Sequence, residues 1–182
     1  TPYLTRHGFG YSVYEHLEDG IHTEMWVYVD AERPIKYSSI RIQNRSGRAR
    51  QLSVTGYVEW VLGDLPHKTK MHITTEVDLN SDAILATNSY STEFRRLIGF
   101  FDVNDPGRTI TTDREEFFGR NGTAKNPEAL RKSKLSGKTG AALDPCGVIQ
   151  VCLGLEAGEK NEIVFRLGAA KHSEEITYLI TN

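Results

Sequence analysis

Apolar residues recur at every second position along most of this 182-residue chain, and turn-forming residues interrupt the pattern at short intervals. A two-residue period is the signature of a strand that turns one face toward a core. Leu52, Val54, Val58, Trp60 and Leu62 fall on one face of a strand expected over about residues 50–62, with Ser53, Thr55, Tyr57 and Glu59 on the other. Gly56 interrupts the apolar face, which signals a bulge or a close approach of backbone. Met71, Ile73, Val77 and Leu79 alternate with His72, Thr74, Glu76 and Asp78, and Ile40 and Ile42 continue a strand beyond Lys36. Two more strands follow from Ile149, Val151, Leu153 and Leu155, and from Ile163, Phe165 and Leu167. Residues 25–29 are continuously apolar or aromatic and predict a fully buried strand.

Turn chemistry separates these runs at Glu18-Asp19-Gly20, Asn44-Arg45-Ser46-Gly47, Asn104-Asp105-Pro106-Gly107 and Glu156-Ala157-Gly158-Glu159. Helical signals are confined to a turn near residues 127–131 and a terminal stretch, where Ser173 followed by Glu174 and Glu175 predicts an N-cap. About ten or more strands are too many for one flat sheet to bury, so an all-β, antiparallel two-sheet sandwich is expected.

The net charge of −2, with both signs interspersed, removes the electrostatic basis for nucleic-acid binding. Arg41, Arg45, Arg48 and Arg50 surround a turn at Asn44 and Gly47 and read as a solvated hairpin end. No apolar run is long enough to cross a bilayer, and no basic-then-apolar leader is present. The first residue is Thr1 rather than methionine, and the chain reads as a piece of a longer protein. Cys146 and Cys152 lie along one expected strand, too far apart to bridge, so free thiols in a reducing, cytoplasmic setting are expected. The Asn121-Gly122-Thr123 sequon is then accidental.

Two segments carry more charge, aromatics and glycine than a β-scaffold needs. They are RHGFGYSVYEH, residues 6–16, and TTDREEFFGRNGT, residues 111–123. In the first, Arg6 and His7 are donors, Gly8 and Gly10 permit close backbone approach, and Phe9, Tyr11 and Tyr14 offer rings for packing or sugar stacking. A first strand whose aromatics enter the core is the competing reading. In the second, Phe117 and Phe118 beside Gly119-Arg120-Asn121 are costly to leave bare, which favours an interdomain, subunit or substrate-cleft loop over a plain surface loop. Residues 121–147, which carry no convincing strand before Val148, are functional or disordered.

No catalytic residue can be assigned. Glu115 and Glu116 are adjacent, and on a strand they would point to opposite faces. His16, His22, His67 and His72 lack metal-ligand spacing, and there is no nucleotide or cofactor motif. Glu59 and Asp64 flank Trp60 and are placed to line a sugar platform, but the apolar run through Trp60 favours a core position.

RHGFGYSVYEH, LSVTGYVEWVLGDLPHKT, DREEFFGRNGT with the following Pro127, and LDPCGVIQVCLGLEAGEKNEIVFRLG occur in that order over about residues 5–169. Together they resemble the N-terminal β-sandwich of the inverting phosphorylases of glycoside hydrolase family 94. Within the family the resemblance points to the phosphorylase-like region of cyclic β-1,2-glucan synthases. It implies a galactose-mutarotase-like super-sandwich over residues 1–172, with residues 173–182 starting a linker helix to a helical (α/α) toroid. In the family that toroid holds the aspartate general acid and most of the phosphate site. The resemblance therefore implies a non-catalytic domain that needs no cofactor and helps assemble and shape a cleft for a β-glucan oligosaccharide and phosphate. A homodimer, and a parent at the cytoplasmic face of a bacterial inner membrane, are further expectations. Arg114, Phe118, Gly119, Arg120 and Asn121 match the family's cleft-approaching loop, and Arg6, His7, Gly8 and Gly10 match its opening motif. An autonomous carbohydrate-binding module is the alternative.

Overall fold

A computed structural model of the chain describes residues 2–181. Eleven strands run as β1 Leu4–Gly8, β2 Tyr11–Glu18, β3 Ile21–Val29, β4 Ile35–Asn44, β5 Arg50–Glu59, β6 Ile73–Val77, β7 Ile84–Asn88, β8 Ile98–Val103, β9 Thr109–Asp113, β10 Pro145–Leu155 and β11 Lys160–Ala170. Three short helices, α1 Pro66–Thr69, α2 Arg114–Phe118 and α3 Ser173–Thr181, lie between or after them. The strands form an eight-stranded sheet in the order β1-β2-β3-β4-β11-β8-β7-β6 and a three-stranded sheet in the order β5-β10-β9. Every ladder is antiparallel.

The expected turns close the first hairpins. Asp19 and Gly20 between β2 and β3 both take positive φ, 49° and 79°, the pair of left-handed residues that suits a tight hairpin on twisted strands. Between the sheets, Ile84, Phe101, Val103, Ile163 and Phe165 of the larger pack against Ile149 and Val151 of the smaller, with Trp60 beside them. A second cluster lies on the outer face of the larger sheet, where Ile176 and Leu179 of α3 cover Ile35, Leu85 and Phe100. A third covers the outer face of the smaller sheet. That double coverage explains why Pro145 to Val151 are all buried without alternation. In β8 the fully buried Asp102 accepts from Arg166 Nη1 at 2.7 Å and also pairs with Arg108.

Several expectations change. Gly56 is not a bulge, since its register opposite Ile149 is unbroken, and what approaches it is side chain rather than backbone: the rings of Phe165 and Phe101 lie 2.6 and 2.7 Å from where a Cβ would stand. The irregularity falls instead between Pro145 and Val148, against β9. β5 ends at Glu59, although Trp60 and Leu62 still reach the core as irregular chain. Met71 sits in a 3₁₀ turn and is exposed, and Leu79, past the end of β6, is 95% exposed. Thr75 takes the buried place, its hydroxyl 2.6 Å from that of Thr112.

Residues 25–29 do not form a buried strand, and Val29 is 65% exposed. The apolar clusters between the sheets draw on β4, β6, β7, β8 and β11, and on β3 only through Ile21. Three strands cannot span eight. At the C-terminus, α3 starts at Ser173 itself, and Glu175 accepts from the Lys171 amide at 3.1 Å. Thr1, and Asn182 at the end of the expected linker, lie outside the described residues.

Candidate functional site around Arg114

β9 runs directly into α2. Asp113 caps the helix by accepting from the Glu115 amide at 3.0 Å, and its second oxygen pairs with Lys138. Glu115 and Glu116 are thus on a helix rather than a strand. Glu116 accepts from Thr111 Oγ1 at 2.6 Å and from the Ser136 amide at 3.0 Å, with Lys132 Nζ at 3.5 Å. Burial opposes its ionisation, but the Ser136 and Thr111 hydroxyls outweigh that and hold the carboxyl below its ordinary range. The chain past α2 is thereby tied down over the smaller sheet, with Ala129 and Leu135 buried beneath it.

The phenylalanines are not bare. Phe117 is buried and stacks on Tyr57 at 4.4 Å between centroids, with Phe118 edge-on to both. Their apolar surface is used inside the domain, so the argument from uncovered rings to a partner does not hold. Gly119 has φ 75°, and a Cβ there would meet Glu128 Cβ at 2.8 Å. A Cβ on Gly122 would sit 1.5 Å from the Phe118 carbonyl oxygen. Both glycines serve the tight turn that ends α2.

What remains outward is organised by Arg114. Its Nε donates to Glu59 at 2.9 Å, its Nη1 lies 3.5 Å from Asp144, and its guanidinium lies 4.7 Å over the Phe118 ring. The hydrogen bond from the Tyr57 hydroxyl, then that from Arg114, hold the Glu59 carboxyl below its usual range. On one side of Arg114 opens a cavity of about 280 Å³ lined by Glu59, Trp60, His67, Lys70 and Asp144. On the other opens one of about 380 Å³ lined by Glu115, Phe118, Gly119, Thr123 and Asp144. Arg120 and Asn121 are exposed just beyond. Such a wall of fixed donors, acceptors and one ring face can bind and orient a polyhydroxylated ligand. Trp60 is buried and belongs to the core, although it also contributes to the lining of the first cavity.

The first segment lies elsewhere. Arg6, His7, Gly8 and Gly10 belong to the β1–β2 hairpin at the edge of the larger sheet. Arg6 pairs with Glu15 at 3.3 Å and Glu24 at 3.5 Å, and His7 Nδ1 lies 2.8 Å from the Ser12 hydroxyl. Its aromatics do not enter the core: Tyr11 and Tyr14 stay more than one-third exposed, and Phe9 is fully exposed at the hairpin tip. Arg41, expected at a solvated hairpin end, is mid-strand with its guanidinium 5.7 Å over Trp26. No hydrogen bond, ion pair or ring contact among the described residues joins the two candidate segments. The partners of Arg114 were missed from sequence. Only the β5–β10 register, with Cys146 opposite Glu59, reveals that Asp144 falls beside a residue 85 positions earlier.

The profile of the family described as the glycosyl hydrolase 94 supersandwich domain matches residues 1–182, and the chain belongs to that family. The chain is 34% identical over 173 residues to the cyclic beta-(1,2)-glucan synthase NdvB of Rhizobium meliloti (strain 1021), covering 94% of this chain and 6% of that protein. It is 26% identical over 175 residues to the solabiose phosphorylase of Paenibacillus borealis, covering 94% and 23%. Among solved structures a polysaccharide lyase superposes with TM-score 0.50 at 11% identity, over 89% of this chain and 22% of that one. The chain thus spans less than a quarter of the length of these relatives.

Proposed function

We propose that this chain is the non-catalytic β-sandwich of a cyclic β-1,2-glucan synthase or a related glycoside phosphorylase. There it packs against a helical catalytic toroid and shapes the carbohydrate cleft. The observation that carries this reading is the clasped Arg114. Glu59 and Asp144 hold its guanidinium over Phe118, between two openings on the surface. Arg114, Phe118, Gly119, Arg120 and Asn121 form a wall for a β-glucan oligosaccharide and phosphate bound by the parent. Arg6, His7, Gly8 and Gly10 form a separate contact, to another domain or to a second copy in a homodimer.

On this reading residues 1–172 are the sandwich and residues 173–182 open the linker to the toroid. The small share of each relative that the chain covers supports a parent with further domains. We place the parent at the cytoplasmic face of a bacterial inner membrane, a reducing setting in which Cys146 and Cys152 stay thiols. In the parent, Arg120→Ala raises KM for β-1,2-gluco-oligosaccharides about tenfold while kcat changes little. Unchanged steady-state kinetics would remove the cleft role and leave a scaffold. Release of glucose 1-phosphate from such oligosaccharides and phosphate by the 182-residue chain alone would overturn the non-catalytic assignment.

A further inference from the structure

The outer face of the larger sheet is divided. α3 covers the part that includes Ile35, Leu85 and Phe100, and Tyr37 packs at the margin of that cluster. Over β1 to β4 no helix among the described residues covers that face, although Val13 and Ser39 are buried within it by their neighbours. Alternation from Tyr37 and the strand registers places three rows there. Tyr11, Tyr28 and Tyr37 lie across three neighbouring strands, Val13, Trp26 and Ser39 form the next row, and Glu15, Glu24, Arg41 and Glu162 the one after.

The aromatic rows lie low on the sheet. A Cβ on Gly8 would stand 2.2 Å from Tyr11 Cζ, so glycine is what lets this ring lie across β1. Tyr11 then overlaps Trp26 at 5.3 Å, while Tyr28 overlaps Tyr37 at 5.2 Å. Tyr11 remains 42% exposed and Tyr28 37%. Beside them the polar row is pre-arranged. Glu24 accepts from the Trp26 indole at 2.6 Å and lies 3.5 Å from Arg6 and 3.6 Å from Arg41. Glu15 joins Arg6 and His22, and Arg41 reaches Glu162 at 3.0 Å. A groove of about 390 Å³ follows this row, lined by His22, Glu24, Arg41, Gln43, Lys160 and Glu162.

We propose that this open face is a saccharide platform that takes a neutral β-gluco-oligosaccharide, its sugar rings against Tyr11 and Tyr28 and its hydroxyls along the Glu24–Arg41 row. A pyranose presents a C–H face to an aromatic ring, while its hydroxyls need donors and acceptors held side by side. Paired carboxylates and guanidiniums supply both with little net charge. A protein-docking face would be depleted of charge at its centre, and this one has ion pairs there. A polyanion would be repelled by Glu15, Glu24 and Glu162 along the row. The platform is separate from the Arg114 wall, and only the choice of glucan as the ligand rests on the proposed function.

Trp26 is half-buried within the platform, whereas Trp60, the other tryptophan, is in the core, so indole fluorescence reports on the site. The 182-residue chain is titrated with β-1,2-glucohexaose, cellohexaose and dextran sulfate by fluorescence and calorimetry. Saturable binding of either neutral hexaose at about millimolar affinity is expected, weakened about tenfold in Tyr11→Ala and in the milder Glu24→Gln. Leu79→Ala, exposed past the end of β6 at the far edge of the sheet, leaves it unchanged. Circular dichroism confirms that each variant is folded. The proposal is overturned by no saturable binding of either hexaose to the folded chain, by equal affinity in all variants, or by binding of dextran sulfate alone. Failure of the cleft role is read separately, from Arg120→Ala in the parent.

Discussion

At Gly56 one hydrogen atom decides whether two aromatic rings can meet the smaller sheet. Phe101 and Phe165 occupy the space a methyl would need, so Gly56→Ala should destabilise the domain by about 1–3 kcal/mol, read from the midpoint of urea unfolding. Gly→Ala at an open β position would be neutral or stabilising, and a loss under about 0.5 kcal/mol would show that the rings yield. The two cysteines differ just as sharply. Burial, then the carboxylates of Asp113 and Asp144, push the Cys146 thiol up to about 12 from an ordinary 9.0. Between those values the unfolded chain releases a proton that the folded chain keeps, so this thiol's contribution to stability declines as pH rises from about 9 to about 12. Because the thiolate is the reactive form, a thiol reagent at about pH 8 should label Cys152 alone in the native protein and both cysteines in urea. Rapid native labelling of Cys146 would contradict the packing around it.

At the scale of elements, Glu116 is the tether that turns an irregular stretch into a cover. Glu116→Ala removes the acceptor shared by Thr111 and Ser136 and should raise the rate of limited proteolysis within residues 119–144 about tenfold, with α2 retained by its Asp113 cap. Cleavage at the wild-type rate would mean that Ala129 and Leu135 hold the cover without it. The strands and their turns were legible because alternation and turn residues are local signals. Ile40, Ile42 and the Ile149–Leu155 run fell where expected. The cover was not legible, since its order comes from Phe117, Ala129 and Leu135 meeting β10, contacts remote in sequence. The exposure of Tyr28 and Val29 and the half-burial of residues 25–27 were hidden for a similar reason. An apolar strand reports that it wants a covering layer, not whether the opposite sheet is wide enough to supply one. Most residues of the DREEFFGRNGT segment work inside the domain, leaving Arg114, Glu115, Arg120 and Asn121 as its outward part.

At the scale of the whole molecule, the two sheets are closed by the last two strands. β10 pairs with both β5 and β9, and β11 with both β4 and β8, so each is the centre of its sheet although each comes late in the chain. The buried Asp102 repeats the dependence, since it pairs with Arg166 of β11 as well as nearby Arg108. A chain ending before residue 145 should therefore lack a cooperative urea transition, retaining at most the local β1–β2–β3 hairpins. A sharp transition in such a truncation would show that the first nine strands have a core of their own. The order of the strands also sets a schedule for synthesis. On the ribosome, the hairpins and the edges of β4 and β5 emerge long before the strands that complete them, and loop closure across more than a hundred residues must await the final quarter of the chain. During synthesis the two sheets therefore cannot close until β10 and β11 have emerged, and until then β4 and β5 present unpaired edges.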